Sequence, residues 1–169
     1  MFKFVTNLLM HKQLTFEEGQ IGLFGEPIIM FPAYCAIDTL KELEKKGTPN
    51  LLYYSFKELG IKWTNNLIKK YNVKRSDVFS LGSSVVTMAG YGIVKTVKAD
   101  PENKLIEFQL WKSTLAQLYG KSDHPIDHLF RGMVAGAMSV AYETELDGVE
   151  TACSATGSPY CEIIEKTLT

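Results

Sequence analysis

The chain predicts an α+β domain in which about four helices pack against an antiparallel sheet. Three observations carry that prediction. Short apolar runs bounded by Gly, Pro, Asn and Asp stand near both ends of the chain and in its middle, as strands do. Between them lie four longer stretches whose apolar residues recur with helical period. No linker and no internal repeat interrupts the series, so residues 1–169 read as one domain.

The first strands are Leu14 to Phe16, Gln20 to Phe24 and Ile28 to Phe31, with turns expected at Gly19 and at Gly25-Glu26-Pro27. Gly19, Gly22 and Gly25 have G-x-x-G-x-x-G spacing, but no helix follows directly. Hairpin turns and a bulge therefore explain them better than a phosphate loop. Pro32 opens a helix in which Ala33, Ile37, Leu40 and Leu43 share a face, and Gly47 ends it. A second helix starts near Pro49 and aligns Leu52, Phe56, Leu59, Trp63 and Leu67. Ser76 is the expected N-cap of a third, which carries Val78, Leu81, Val85 and Met88.

Ile93 to Lys98 and Lys104 to Trp111 pair antiparallel around an Asp100-Pro101-Glu102-Asn103 turn. Alternation along the second of these puts Ile106, Phe108 and Leu110 on one face and Trp111 on the other. The fourth helix runs from His124 or Pro125 to Tyr142, with Ile126, Phe130, Met133, Ala137 and Val140 on its apolar stripe. Gly132 and Gly136, one turn apart, leave a flat strip that another element can approach closely. The closing strands, Gly148 to Cys153 and Tyr160 to Ile164, form a hairpin.

Composition narrows the function classes. Hydrophobic residues make up 46% and charged residues 22% of the chain, a globular balance that excludes disorder. A net charge of -1 gives no electrostatic case for a nucleic-acid partner, which needs a clustered basic face. The basic pairs Lys45-Lys46, Lys69-Lys70 and Lys74-Arg75 sit beside helix ends, where cations offset the dipole. Met1 to Leu9 is apolar but too short and too interrupted for a signal peptide or a membrane span, so the expectation is a soluble, cytoplasmic protein.

The chemistry concentrates near the C-terminus. Cys153 and Cys161 lie four residues either side of Gly157, and Ser154-Ala155-Thr156-Gly157-Ser158 reads as a hairpin tip. If the chain reverses there, both thiols sit on one face with Cβ atoms about 4.5–5.5 Å apart. Two thiolates at that separation can share a tetrahedral Zn²⁺, and Glu150, three residues before Cys153, can add an oxygen. A hairpin disulfide or two inert buried thiols are the competing readings. The third cysteine, Cys35, is far away in sequence, and an odd total argues against a disulfide framework. Upstream, Ser122-Asp123-His124-Pro125-Ile126-Asp127-His128 supplies a fourth ligand from Asp127, His124 or His128, which one helical turn would make neighbours. The alternative there is structural: Asp123 caps the helix and the histidines are half-exposed.

The runs Phe130-Arg131-Gly132-Met133-Val134-Ala135-Gly136-Ala137-Met138-Ser139, Gly148-Val149-Glu150-Thr151-Ala152-Cys153 and Gly157-Ser158-Pro159-Tyr160-Cys161-Glu162 resemble the signature of the 4-vinyl reductase domain family. The signature is strongest over residues 124–166. That family is described as a predicted hydrocarbon-binding domain, similar in fold to subunits of the vesicle transport-particle (TRAPP) complex and to haem-based nitric-oxide sensors. Members that sense aromatic effectors hold a structural zinc through three cysteines and a glutamate. Position by position, Glu150, Cys153 and Cys161 match three of these ligands, and the remaining cysteine falls on Asp127. Asp is a competent zinc ligand, although a carboxylate in place of a thiolate weakens a soft site.

The same resemblance implies an apolar effector pocket beside the zinc, with Phe79, Met88, Tyr91, Phe108, Trp111, Met133 and Tyr142 as candidate lining residues. Trp111-Lys112-Ser113-Thr114 is similar to an aromatic-x-Ser stretch near the effector in the sensor members. Six Met and nineteen aromatic residues (nine Phe, eight Tyr, two Trp) exceed what simple helix stripes need.

Three functions follow. The first is a binding or sensing module for a hydrophobic or aromatic small molecule, with a structural zinc. The second is a reductase or its accessory acting on a vinyl or tetrapyrrole substrate, which the family name implies. Against it stand the lack of a G-x-G-x-x-G in a βαβ context and of any flavin signature. The third is a structural subunit of a dimeric assembly. A homodimer is expected in any case, because the chain has more amphipathic helix than one small sheet covers.

Overall fold

The computed structural model describes residues 2–167, so Met1 and the last two residues of the sequence lie outside the described residues. The chain divides into two compact units, Met1–Pro32 and Ala33–Thr169. The first holds helix α1 (Phe2–Met10) and a three-stranded antiparallel sheet, β1 (Leu14–Glu17), β2 (Gln20–Leu23) and β3 (Glu26–Ile28), in the order β1-β2-β3. Leu23 pairs with Glu26, so the second turn is the two-residue loop Phe24-Gly25, with φ of 51° and 71°. Positive φ at both central residues is the geometry that matches strand twist in a two-residue hairpin. This corrects the expected turn at residues 25–27: β3 begins at Glu26, and Ile29 to Phe31 lie beyond it. Helix α1 was not anticipated. Its stretch is amphipathic, with Leu8 buried, but it is only nine residues long.

The second unit contains α2 (Tyr34–Lys45), α3 (Asn50–Tyr71), α4 (Val78–Met88), α5 (Thr114–Tyr119) and α6 (His128–Tyr142). Its sheet comprises β4 (Ile93–Asp100), β5 (Leu105–Trp111), β6 (Asp147–Ala152) and β7 (Cys161–Lys166), antiparallel throughout in the order β4-β5-β7-β6. The architecture is thus α+β, with two antiparallel sheets and six α-helices among the described residues. The expected hairpin therefore joins the sheet through its second strand, with Leu110 paired to Cys161 and Phe108 to Ile163. Alternation holds along β5: Ile106, Phe108 and Leu110 are buried and the residues between them are not.

The cap of α4 is Asp77 and not Ser76, the start of α6 differs from expectation, and α5 is an additional helix. Helix α6 starts at His128, after Asp127, and not at His124 or Pro125. Ser122 explains the delay: its hydroxyl donates to the His124 carbonyl and accepts from the His124 N–H, a side-chain turn that competes with helix. Helix α5 was missed because six residues are too few to show a period, although Ser113 marks its start by accepting the Ala116 N–H.

Helix α6 is the organising element. Gly132 and Gly136 let it cross α3 at backbone contact: a Cβ at Gly132 would strike the Tyr53 carbonyl, and one at Gly136 the Lys57 carbonyl. Gly60 of α3 reciprocates against the Met133 carbonyl. These three positions tolerate no side chain.

One turn into α6, Arg131 reaches the sheet. It donates to the Gly148 carbonyl (3.1 Å) and lies over the Tyr53 ring (4.5 Å). Tyr53 donates to Asp147 (2.6 Å) and accepts the Gly148 N–H (3.1 Å), while Lys57 bridges to Asp147 (2.6 Å). At the centre lies Glu165, fully buried, with neither carboxylate oxygen hydrogen-bonded among the described residues. Burial pushes its carboxyl well above the usual range, against the pull of Arg131 and Lys57.

A raised folded-state pKa means that the folded protein keeps a proton which the unfolded chain loses above about pH 4.3. Stability from this group is therefore full at low pH and declines as pH rises through the folded pKa. Glu165→Gln should abolish that decline, gaining on the native protein by up to about 1.4 kcal/mol per pH unit. Urea denaturation of both proteins between pH 5 and 8 reads this directly, and parallel stability curves would contradict it.

Candidate metal centre

Strands β6 and β7 are joined by a 3₁₀ turn at Ser154–Thr156 and by Gly157 at φ 104°. The reversal places Cys153 and Cys161 face to face, with 3.9 Å between sulfurs. The Ser154 N–H donates to the Cys161 sulfur at 3.3 Å. From the other side, the start of α6 brings in Asp127, whose N–H donates to Glu150 Oε2 at 2.9 Å. Asp127, Glu150, Cys153 and Cys161 thus present four ligand atoms within 4.8 Å of one another, all on buried residues.

The donor set fits a tetrahedral cation. Ligands at about 2.0–2.3 Å from Zn²⁺ are spaced about 3.3–3.8 Å apart, so small side-chain rotations close the group. Glu150 Oε1 is buried and without a hydrogen-bond partner, which leaves it free to ligate while Oε2 is held by Asp127. The electrostatics agree. Burial pushes Asp127 up to about 6 and Glu150 up to about 9, the latter raised further by the Asp127 charge. The hydrogen bond between the two thiols lowers Cys153, which accepts it, and raises Cys161, which donates it, with burial adding to the latter. A divalent ion would supply the positive charge that these groups otherwise take up as protons.

Neither upstream histidine belongs to this group. His124 precedes α6 and is held between Asp123 (2.6 Å) and Glu44 (3.1 Å) on α2. His128 is half-buried, its Nδ1 3.3 Å from an Arg131 nitrogen. Asp123, proposed as the helix cap, instead pairs with His124, and Asp127 holds the cap position without a side-chain cap bond.

Of the candidate lining residues, the structure brings Phe79, Tyr91 and Phe108 together. Phe79 and Phe108 rings lie 5.4 Å apart, and Phe130 joins them, 5.7 Å from Phe108 and 6.2 Å from Tyr91. Phe130 belongs to the helix stripe and opens the motif run but is not among the expected lining residues; its place in that run is the signal in the sequence. Met133 and Tyr142 pack at the edge of the same core, and Met88 is partly buried at the end of α4. Trp111 faces the other way. Its ring lies tilted against Tyr160 (4.9 Å) under Lys95 (4.2 Å), on the sheet face opposite Phe108. Ser113 was noticed only as part of a motif. Buried to 1% exposure, it caps α5 and lies 3.5 Å from both Asp127 carboxylate oxygens.

No protein-family model and no curated protein matches the chain. Solved structures do. The phenol-responsive sensory domain of the transcription activator PoxR, solved with phenol, superposes with a TM-score of 0.81 at 20% identity, over 98% of this chain and 89% of that one. A vinyl-4-reductase family protein from Methanocaldococcus jannaschii gives 0.56 at 16% identity, over 84% and 85%. Subunit 3 of the trafficking protein particle complex from Naegleria fowleri, covalently bound to palmitic acid, gives 0.55 at 9% identity, over 81% and 95%.

The class defined is the α+β fold shared by sensory domains of this kind, the 4-vinyl reductase family and transport-particle subunits. The family resemblance read from the sequence holds at the level of that fold. No described helix is long and apolar enough to cross a membrane.

The two histidines should titrate oppositely. His124 is raised above its ordinary value by hydrogen bonds to Asp123 and Glu44, and His128 is lowered to about 4 by burial and Arg131. Any stability from His124 is therefore full below about pH 6.5 and lost as pH rises through its folded value. Imidazole NMR across pH 4–8, with the rings assigned by His124→Gln and His128→Gln, should show His124 titrating above the ordinary histidine value and His128 below it; coincident titrations of these two would contradict the assigned surroundings.

Proposed function

We propose that this chain is a binding or sensing module for a hydrophobic or aromatic small molecule, built on a structural zinc held by Asp127, Glu150, Cys153 and Cys161. The observation that carries the reading is the pairing of two features on one sheet face. A buried four-ligand cluster closes the β6–β7 hairpin, and an aromatic group of Phe79, Tyr91, Phe108 and Phe130 stands on α4, the connection after it, β5 and α6. The likeness to a domain that responds to phenol supports the ligand class. The whole chain is read as one domain of the 4-vinyl-reductase type, working in the cytoplasm. In this reading the metal fixes the hairpin that walls the ligand site, with Met88, Met133 and Tyr142 at its margins; Trp111 belongs to the outer face. A homodimer completes the reading, supported by Leu51 and Tyr54 on α3, which are 54% and 60% exposed.

Two measurements test this. Metal analysis of the purified protein should find close to one zinc per chain. Cys153→Ser should lose it together with several kcal/mol of stability, because structural zinc binding is folding energy. Protein that is metal-free yet equally stable would contradict the zinc.

A panel of phenols and hydrocarbons should raise the melting temperature, since a ligand that binds only the folded state stabilises it by mass action. Light scattering on the same sample should give twice the 19.0 kDa chain mass. No thermal shift with any compound would leave the structural-subunit reading.

A further inference from the structure

Each carboxylate of the centre has two oxygens and offers one to a metal. For Glu150 the division is plain: Oε2 takes the Asp127 N–H and Oε1 is free. Asp127 poses the same question, since its own second oxygen is fully buried and needs a donor. The Ser113 hydroxyl stands 3.5 Å from both oxygens. One of its lone pairs accepts the Ala116 N–H (3.2 Å), its proton remains to be given, and the acceptor it faces is the Asp127 carboxylate. Both residues are sealed from water, Ser113 at 1% and Asp127 at 0% exposure, so solvent does not compete.

We propose that Ser113 is a positioning residue for the metal centre: its hydroxyl holds the non-ligating oxygen of Asp127 and so aims the other at the ion. The proposal rests on the zinc reading above and deepens it. A thiolate ligand has no second atom to be held in this way, so the contact is specific to a carboxylate at this position. It has a structural consequence, because Ser113 is also the cap of α5 and ends the turn after β5. The metal centre is thereby tied to the β5–α5 junction as well as to the hairpin and α6. Hydrogen bonds to the ligands of a metal typically change its affinity 10- to 100-fold when removed.

The test compares native protein with Ser113→Ala, Ser113→Gly and Ser113→Thr, each checked for fold by circular dichroism. Glycine costs a helix cap only a few tenths of a kcal/mol, so S113G removes the hydroxyl while sparing α5, and S113T keeps both roles. Zinc affinity is read by competition with a chromophoric chelator, and the donor geometry by the absorption spectrum of the cobalt-substituted protein. S113A and S113G should bind zinc about 10- to 100-fold more weakly with an altered cobalt spectrum, and S113T should restore both. Native affinity and spectrum in S113G overturn the proposal, as does an equal loss in a folded S113T. Native protein that binds neither metal overturns the zinc reading itself.

Discussion

Two carboxylates and two thiols, closed off from water within 4.8 Å of one another, cannot all ionise unless a cation joins them. Protons or a metal must neutralise the group, and the β6–β7 hairpin and the start of α6 are held in register around it. Asp127 occupies the cap position of α6, Glu150 lies on β6, and Cys153 and Cys161 flank the turn, so one small cluster joins three elements. No single hydrogen bond in this region ties together as many parts of the fold.

Helix α6 carries that constraint into the rest of the unit. Its first residue adjoins the cluster, its second turn sends Arg131 to Gly148 and Tyr53, and its glycines lock it against α3. The sheet's inner face is therefore polar at two points, the four-ligand group and Glu165, with Phe108 and Ile163 between the elements that bear them. Both polar points are buried and both involve carboxylates with an unpaired oxygen. That combination costs stability unless protons or a cation compensate. It also confines the aromatic group to the region that α4, β5 and α6 enclose.

Much of this was legible in the sequence because it rests on local rules. Gly132 and Gly136 signalled the close helix crossing, alternation fixed the inward face of β5, and Gly157 located the reversal that brings the thiols together. What was not legible came from longer-range competition. The start of α6 moved to His128 because Ser122 bonds its own neighbours, and His124 left the centre because Glu44, eighty residues away, captures its ring. The Phe24-Gly25 turn places a phenylalanine at positive φ, which no propensity anticipates. Glu165 lies just beyond the strand expected to end at Ile164; only the packing of α3 and α6 over it reveals a buried acid.

X-ray absorption at the zinc edge of the purified protein is the most direct examination of the account. The proposed donor set predicts a four-coordinate ion with two sulfurs at about 2.3 Å and two oxygens at about 2.0–2.2 Å. A shell of three or four sulfurs, a histidine multiple-scattering pattern, or protein that carries no zinc at all would contradict it.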